Sequence, residues 1–251
     1  MKIQICSDLH LEFLVNRDWL DEHPLQAVGE VLVVAGDTYY LDKDYRQLAF
    51  LQWAADHFER VYLIPGNHEY YGGFDAATAL EPTEELIFSN VHLVNNQTVV
   101  YKDVQLIFTT LWSQIRQNAL AIQRSMNDFH QIQFRGSPLS IDQFNTLHEA
   151  AFSFLAKAVK RAGAKVVVTH HLPSNRCNIP AFRGSLLNEA FCAEKTNFIM
   201  DQEIDFWVYG HSHRNLPDFQ IGSTTMVTNQ LGYVTLQEHS LFDTAKVINV
   251  P

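Results

Sequence analysis

Apolar residues in this chain come in short runs, and five of those runs stop at a cluster of Asp, Asn or His. The runs over 3–6, 31–35, 61–64, 166–169 and 205–209 end in SDLH, AGDT, PGNHE, VTHH and YGHSH. Short, nearly continuous runs rich in Val and Ile are the mark of strands buried on both faces. Between them, residues 45–58, 140–161 and most of 186–200 space their apolar positions as helices do. This alternation predicts βαβ units and an α/β fold. The Asp, Asn and His side chains then gather on one rim of a sheet, where open α/β proteins place ligands.

The rhythm breaks in places. Residues 82–88 read as a further short helix, and 91–96, 98–103 and 104–112 as an antiparallel meander with Lys102-Asp103 at a hairpin turn. Residues 114–133 read as helix or irregular chain, ended at 136–138, and 173–182 are rich in turn formers. Beyond the last cluster, FQIGSTTMVTN, LGYVTL and the terminal AKVINV predict a hairpin and a second, mainly antiparallel sheet. With no repeat, low-complexity tract or Pro/Ser linker, 1–251 is expected to be a single domain, with a cap-like insertion around 113–138.

Composition narrows the class. At 251 residues and 47% apolar, the chain can bury a substantial core. Runs such as VLVVAG and KVVV are too short to span a bilayer, and MKIQICSDLH reads as a strand plus a motif rather than a signal peptide. A soluble, cytoplasmic protein is expected. Cys6, Cys177 and Cys192 form no CxxC pair, which argues against a disulfide framework or a thiolate zinc site, and Cys6 is expected in the core. A net charge of -10 without a basic stripe disfavours a nucleic-acid partner.

Each polar cluster is ambiguous alone. Asp8 and His10 could cap a turn, Gly36-Asp37 could simply form one, and Gly66-Asn67-His68-Glu69 could be an exposed turn that Gly66 lets bend sharply. Together they supply Asp8, His10, Asp37, Asn67, His170, His211 and His213. That is too many donors for one tetrahedral ion and suits two divalent cations sharing a carboxylate. A nitrogen and oxygen set without thiolate favours Mn, Fe, Zn or Co. Two such ions about 3.5–4 Å apart are the arrangement used for in-line displacement at phosphorus.

The ordered set D-x-H, G-D, G-N-H-E, a strand-terminal His and G-H-x-H, running from Asp8 to His213, resembles the calcineurin-like metallophosphoesterase superfamily. The resemblance implies a four-layer αββα sandwich of two mixed sheets flanked by helices, with the dimetal site at the strand C-terminal ends. It assigns Asp8, His10 and His213 to one metal, Asn67, His170 and His211 to the other, and Asp37 to the bridge. Metal-activated hydroxide would attack phosphorus directly, and His68 would stabilise developing charge or protonate the leaving oxygen. His170 is preferred to His171 because the family's ligand usually follows the strand directly. GDTYYLDKD departs from the phosphoprotein phosphatases, with Tyr40 at the second Asp position and no following Arg. That leaves Glu69 or Asp42 to orient His68. The expected function is hydrolysis of a phosphate mono- or diester of a small molecule, the alternatives being a metal-dependent nuclease or a non-catalytic scaffold. Arg176, Arg183 and Arg214 are candidates to grip substrate. Asn127, Asp128, Phe129, Trp112 and the pairs Tyr39-Tyr40 and Tyr70-Tyr71 are candidates to line the pocket.

Overall fold

The computed structural model describes residues 1–250. The strands are β1 (Lys2–Cys6), β2 (Val31–Ala35), β3 (Arg60–Ile64), β4 (Thr83–Phe88), β5 (Val91–Asn95), β6 (Gln97–Tyr101) and β7 (Val104–Thr109). They continue with β8 (Gln133–Phe134), β9 (Ser137–Pro138), β10 (Lys165–Thr169), β11 (Phe206–Val208), β12 (Phe219–Ile221), β13 (Thr224–Val227) and β14 (Val247–Asn249). The α-helices are α1 (Leu14–Glu22), α2 (Ala49–His57), α3 (Ala119–Ser125), α4 (Asp128–Gln131), α5 (Ile141–Ala158), α6 (Pro180–Arg183), α7 (Asn188–Phe191) and α8 (Thr196–Met200).

Two six-stranded sheets follow one plan, in the orders β14-β1-β2-β3-β5-β4 and β12-β13-β11-β10-β7-β6. In each, the four central strands run parallel and both edge strands antiparallel. The period-2 geometry of a strand divides its side chains between layers. Ile3, Ile5, Val33 and Tyr62 meet Leu106, Phe108, Val166 and Val168 between the sheets. The alternate residues face outward: Leu32, Val34 and Leu63 pack with Leu51 and Ala54 of α2, and Ile107, Val167 and Trp207 pack with Leu155 of α5 and Ile199 of α8. Both faces of the parallel strands are therefore dry, which accounts for their continuous apolar sequence. The result is the expected αββα layering of two mixed sheets.

The Lys102-Asp103 turn is as expected, both residues having positive φ (45° and 68°), and it joins β6 to β7. A capping box of Ser140 and Gln143 starts α5. Four expectations fail. The meander over 91–112 is divided, β5 lying parallel to β3 in the first sheet while only β6 and β7 pair antiparallel in the second. Residues 82–88 form edge strand β4, whose antiparallel pairing with β5 outweighs any local helical preference. The second sheet is mixed rather than mainly antiparallel, and β14 pairs with β1 in the first sheet instead. LGYVTL makes no strand: Gly232 has φ 68°, Val234–Leu236 form a 3-10 turn, and the Asn229 amide donates to Ile5 and Asp243 carbonyls. Helix α1 had no signal that the hydrophobic pattern caught.

Residues 113–138 fold as α3, α4 and the β8–β9 ribbon. Their Phe129, Ile132 and Phe134 pack with Tyr70, Trp112 and Phe144 as a separate core beside the strand ends. Cys6 is buried as expected, and all three cysteines are free and buried. No helix among the described residues is long and apolar enough to cross a membrane.

Candidate metal centre

The polar clusters sit where β1, β2, β3, β10 and β11 end, and the backbone there is unusual. Asp8 (φ 55°), His10 (48°), Asp37 (55°), His211 (75°) and His213 (51°) all adopt left-handed conformations. Each costs about 1–2 kcal/mol in an L-residue, and such strain concentrates where a chain must aim side chains at a common point. The first sheet supplies Asp8, His10, Asp37 and Asn67; the second supplies His170, His211 and His213.

The donors fall into two clusters hinged on Asp37. Ligand atoms of Asp8, His10, Asp37 and His213 lie within 4.8 Å of one another, as do those of Asp37, His170 and His211. In the first, Nε2 of His10 lies 3.0 Å from Nε2 of His213. The other nitrogen of each ring is engaged: Nδ1 of His10 faces Glu12 at 3.0 Å, and Nδ1 of His213 faces Glu238 at 2.7 Å. Those carboxylates hold the ring protons on Nδ1, so two neutral imidazoles would turn lone pairs toward each other and toward Asp8. In the second, Nδ1 of His170 faces the Ala35 carbonyl at 2.9 Å, and its Nε2 meets Asn67 Oδ1 and His211 Nδ1, each at 3.1 Å. The Asn67 amide donates to Asp128 at 2.8 Å, which fixes its oxygen toward His170. Once those inward nitrogens are deprotonated, the converging atoms would all be acceptors, which is the chemistry of a cation site.

The charges agree. Burial alone would lower His170 and His213, but Asp37 beside the first and Asp8 and Glu238 beside the second push them up to about 9 and about 10. Asp37 is buried too, yet the surrounding histidines hold it well below the usual carboxylate range. The protein alone balances its carboxylates with protons on histidine, and divalent cations would displace those protons. The residues fit such ions.

A model of the calcineurin-like phosphoesterase family matches residues 1–215. The chain belongs to the calcineurin-like phosphoesterase family. An uncharacterized protein of Acanthamoeba polyphaga mimivirus is 28% identical over 261 aligned positions, covering 92% of this chain and 91% of that protein. Among solved structures, phosphopantetheinyl hydrolase from Mycobacterium tuberculosis superimposes with a TM-score of 0.73 at 16% identity, over 98% of this chain and 95% of that one. At that identity the likeness concerns the fold. The family accounts for a metal-binding hydrolase with a binuclear cluster of His and Asp.

In this calcineurin-like phosphoesterase, neither Glu69 nor Asp42 orients His68. The Glu69 carboxylate accepts from the backbone N–H groups of Asp37, Thr38 and Gly66 at 3.0, 2.7 and 2.7 Å, which ties the second and third motifs together. Asp42 pairs with Lys43. Glu12 faces His68 instead, with Oε1 2.9 Å from Nδ1, and the same oxygen faces His10. Glu12 lies two residues beyond His10 and could have been found by extending D-x-H to D-x-H-x-E. Tyr233 and Glu238 gave no such signal, since their contacts are made by a loop over 150 residues away from His68 or by one beyond the last motif. Burial alone would lower His68, but Asp37 and Glu12 raise it.

Of the other candidates, Asp128 is wholly buried and holds both Asn67 and the Tyr71 hydroxyl, at 2.8 and 2.6 Å. Asn127 and Tyr71 line the cleft, while Phe129, Tyr70 and Trp112 belong to the adjacent core. Tyr39 and Tyr40 stack on each other outside that lining. Arg214 reaches the cleft; Arg176 lies over Phe219, and Arg183 donates to backbone carbonyls. His171 is buried against Trp112 and His211, with ring centroids 5.5 and 4.2 Å away, and neither ring nitrogen has a partner. His170→Ala is expected to cost one ion of two by elemental analysis and His171→Ala to cost none; the reverse result would exchange their roles.

Proposed function

We propose that this chain hydrolyses a phosphate mono- or diester of a small molecule with two divalent transition-metal ions. Asp8, His10 and His213 would hold one, Asn67, His170 and His211 the other, and Asp37 would bridge. The observation that carries this is the pair of acceptor clusters meeting at Asp37. When bound, the ions would activate water and draw charge from the phosphoryl oxygens.

The chain's own groups supply the rest. Glu12 accepts from Nδ1–H of His68 and, with Asp37, favours its imidazolium, whose Nε2–H would then face the cleft, 3.2 Å from the Tyr233 hydroxyl. There it can donate to a phosphoryl or leaving oxygen. The Tyr71 ring, stacked on His68 with centroids 4.3 Å apart, fixes the imidazole plane. A small substrate suits a cleft in which Arg214 is the one Lys or Arg among the lining residues, on a chain of net charge -10.

His68→Ala should keep both ions and lose about 10²- to 10⁴-fold in kcat. Glu12→Gln, which loosens His68 and His10 together, should weaken metal affinity about 10- to 100-fold and slow turnover at saturating metal. Loss of ions in His68→Ala would remove it from the chemistry and make it a ligand.

The deciding experiment loads the protein with Mn, Co, Zn or Fe(II) and assays a nitrophenyl monoester, a bis-nitrophenyl diester, cyclic nucleotides, a phosphopantetheinyl ester and DNA. Hydrolysis of one or more small esters is expected. Cleavage of DNA alone would favour a nuclease, and inertness toward the whole panel with both ions bound would favour a scaffold.

A further inference from the structure

Beside the metal cleft lies a second, smaller cleft of about 200 Å³, formed mainly by residues between the fourth and fifth motifs. The two share Phe182, Phe191 and Ser212, so they adjoin. Phe191 closes the junction, its ring 4.9 Å from that of His211. Leu187 and Phe182 continue the apolar wall, and Phe182, which also lines the metal cleft, leaves 42% of its surface open to solvent.

The polar side chains of this wall are engaged within the protein, Ser185 accepting from the Leu187 N–H at 3.2 Å and Ser212 donating to Gln230 at 3.4 Å. The Asn178 amide donates to Asn188 Oδ1 at 3.0 Å, and the Asn188 amide donates to Asn175 at 2.7 Å. Asn178 Oδ1 accepts from the Ile179 N–H at 2.9 Å. These amides are therefore poorly placed to read the edge of a nucleobase or the hydroxyls of a sugar. No Lys or Arg lines the cleft itself, and Arg214, 5.9 Å from the centroid of the Phe182 ring, is paired with Glu238. What remains is apolar surface beside the metal ligands. An apolar cavity of about 150 Å³ suffices for a benzene ring.

We propose that this cleft receives the organic group of the phosphate ester, and that the group is uncharged, apolar and about one aromatic ring in size. The inference rests on the dimetal phosphoesterase function and narrows its substrate class. Phe182 and Leu187 act as specificity-determining residues, gripping the ester's carbon skeleton while its phosphate lies at the metal ligands.

Phosphonates, whose P–C bond resists hydrolysis, separate this binding from chemistry. On the Mn-loaded protein, phenethylphosphonate should inhibit at least ~10-fold more tightly than ethylphosphonate, the discrimination expected when an apolar pocket fills. Phenethyl phosphate should exceed ethyl phosphate in kcat/KM by a similar factor. Phe182→Ala should collapse both ratios toward one, Phe182→Leu should restore part of them, and Leu187→Ala gives an independent loss. Metal content reports whether each variant is folded. Equal inhibition by the two phosphonates, or a preference that survives both Phe182→Ala and Leu187→Ala, would overturn the assignment of the cleft alone. A metal-loaded chain that hydrolyses no ester and binds neither phosphonate would overturn the phosphoesterase function with it.

Discussion

Asp37→Asn should cost both metal sites together and lower kcat/KM by at least ~10³-fold, since each tenfold corresponds to about 1.4 kcal/mol and a bimetal centre contributes several kcal/mol. The two oxygens of Asp37 serve different clusters. Oδ2 lies 3.6 Å from His10 Nε2, while Oδ1 lies 3.3 Å from His170 Nε2 and accepts the His68 N–H at 3.0 Å. An asparagine of the same shape would aim an N–H donor at one cluster and remove the negative charge from both. Elemental analysis should find fewer than one ion per chain, and circular dichroism should remain native, because the site carries no part of the inter-sheet core. A variant that kept two ions would place the bridge elsewhere.

Gly66→Ala is expected to be nearly as severe, although it changes no donor. A Cβ at Gly66 would lie 2.1 Å from Asp37 Oδ1 and 2.7 Å from His170 Nε2. Both atoms belong to buried, hydrogen-bonded side chains that cannot withdraw. Gly210 is under the same constraint, its missing Cβ being 2.6 Å from Asp8 Oδ2. We expect Gly66→Ala to lower metal affinity by about 100-fold or more, the upper end of what displaced supporting groups cost. Titration of the apo-protein with Mn would measure this. Affinity within threefold of the parent would mean that the loop yields.

The strands that carry the donors were legible because their apolar runs are uninterrupted and each ends in residues costly to bury without a purpose. Asp8, His10, Asp37, Asn67, His68, His170, His211 and His213 were all named from those ends, and the fold brings them together. Gly66, expected to let the turn bend sharply, has no positive φ and matters for space rather than for bending. The supporting carboxylates were harder to see. Glu12 resembles any polar residue before a helix, and Asp128 any residue that might cap one, until tertiary structure closes Glu12 on His68 and Asp128 on Asn67. Edge strands failed in part for a related reason. TEELIF carries too little pattern of its own to show β4, which its pairing with β5 specifies, whereas AKVINV was legible as a strand and only its partner, β1, was not.

The two sheets each contribute part of both donor clusters, and the side chains between the sheets hold them apart. Tyr62 and Phe108, with ring centroids 5.1 Å apart, are among the largest of those spacers. Close-packed interiors transmit a change of even one methylene. The thickness of a greasy layer that contains no ligand thus sets how far His170 and His211 stand from Asp8 and His10. The choice among metals of different radius would then depend partly on the hydrophobic core.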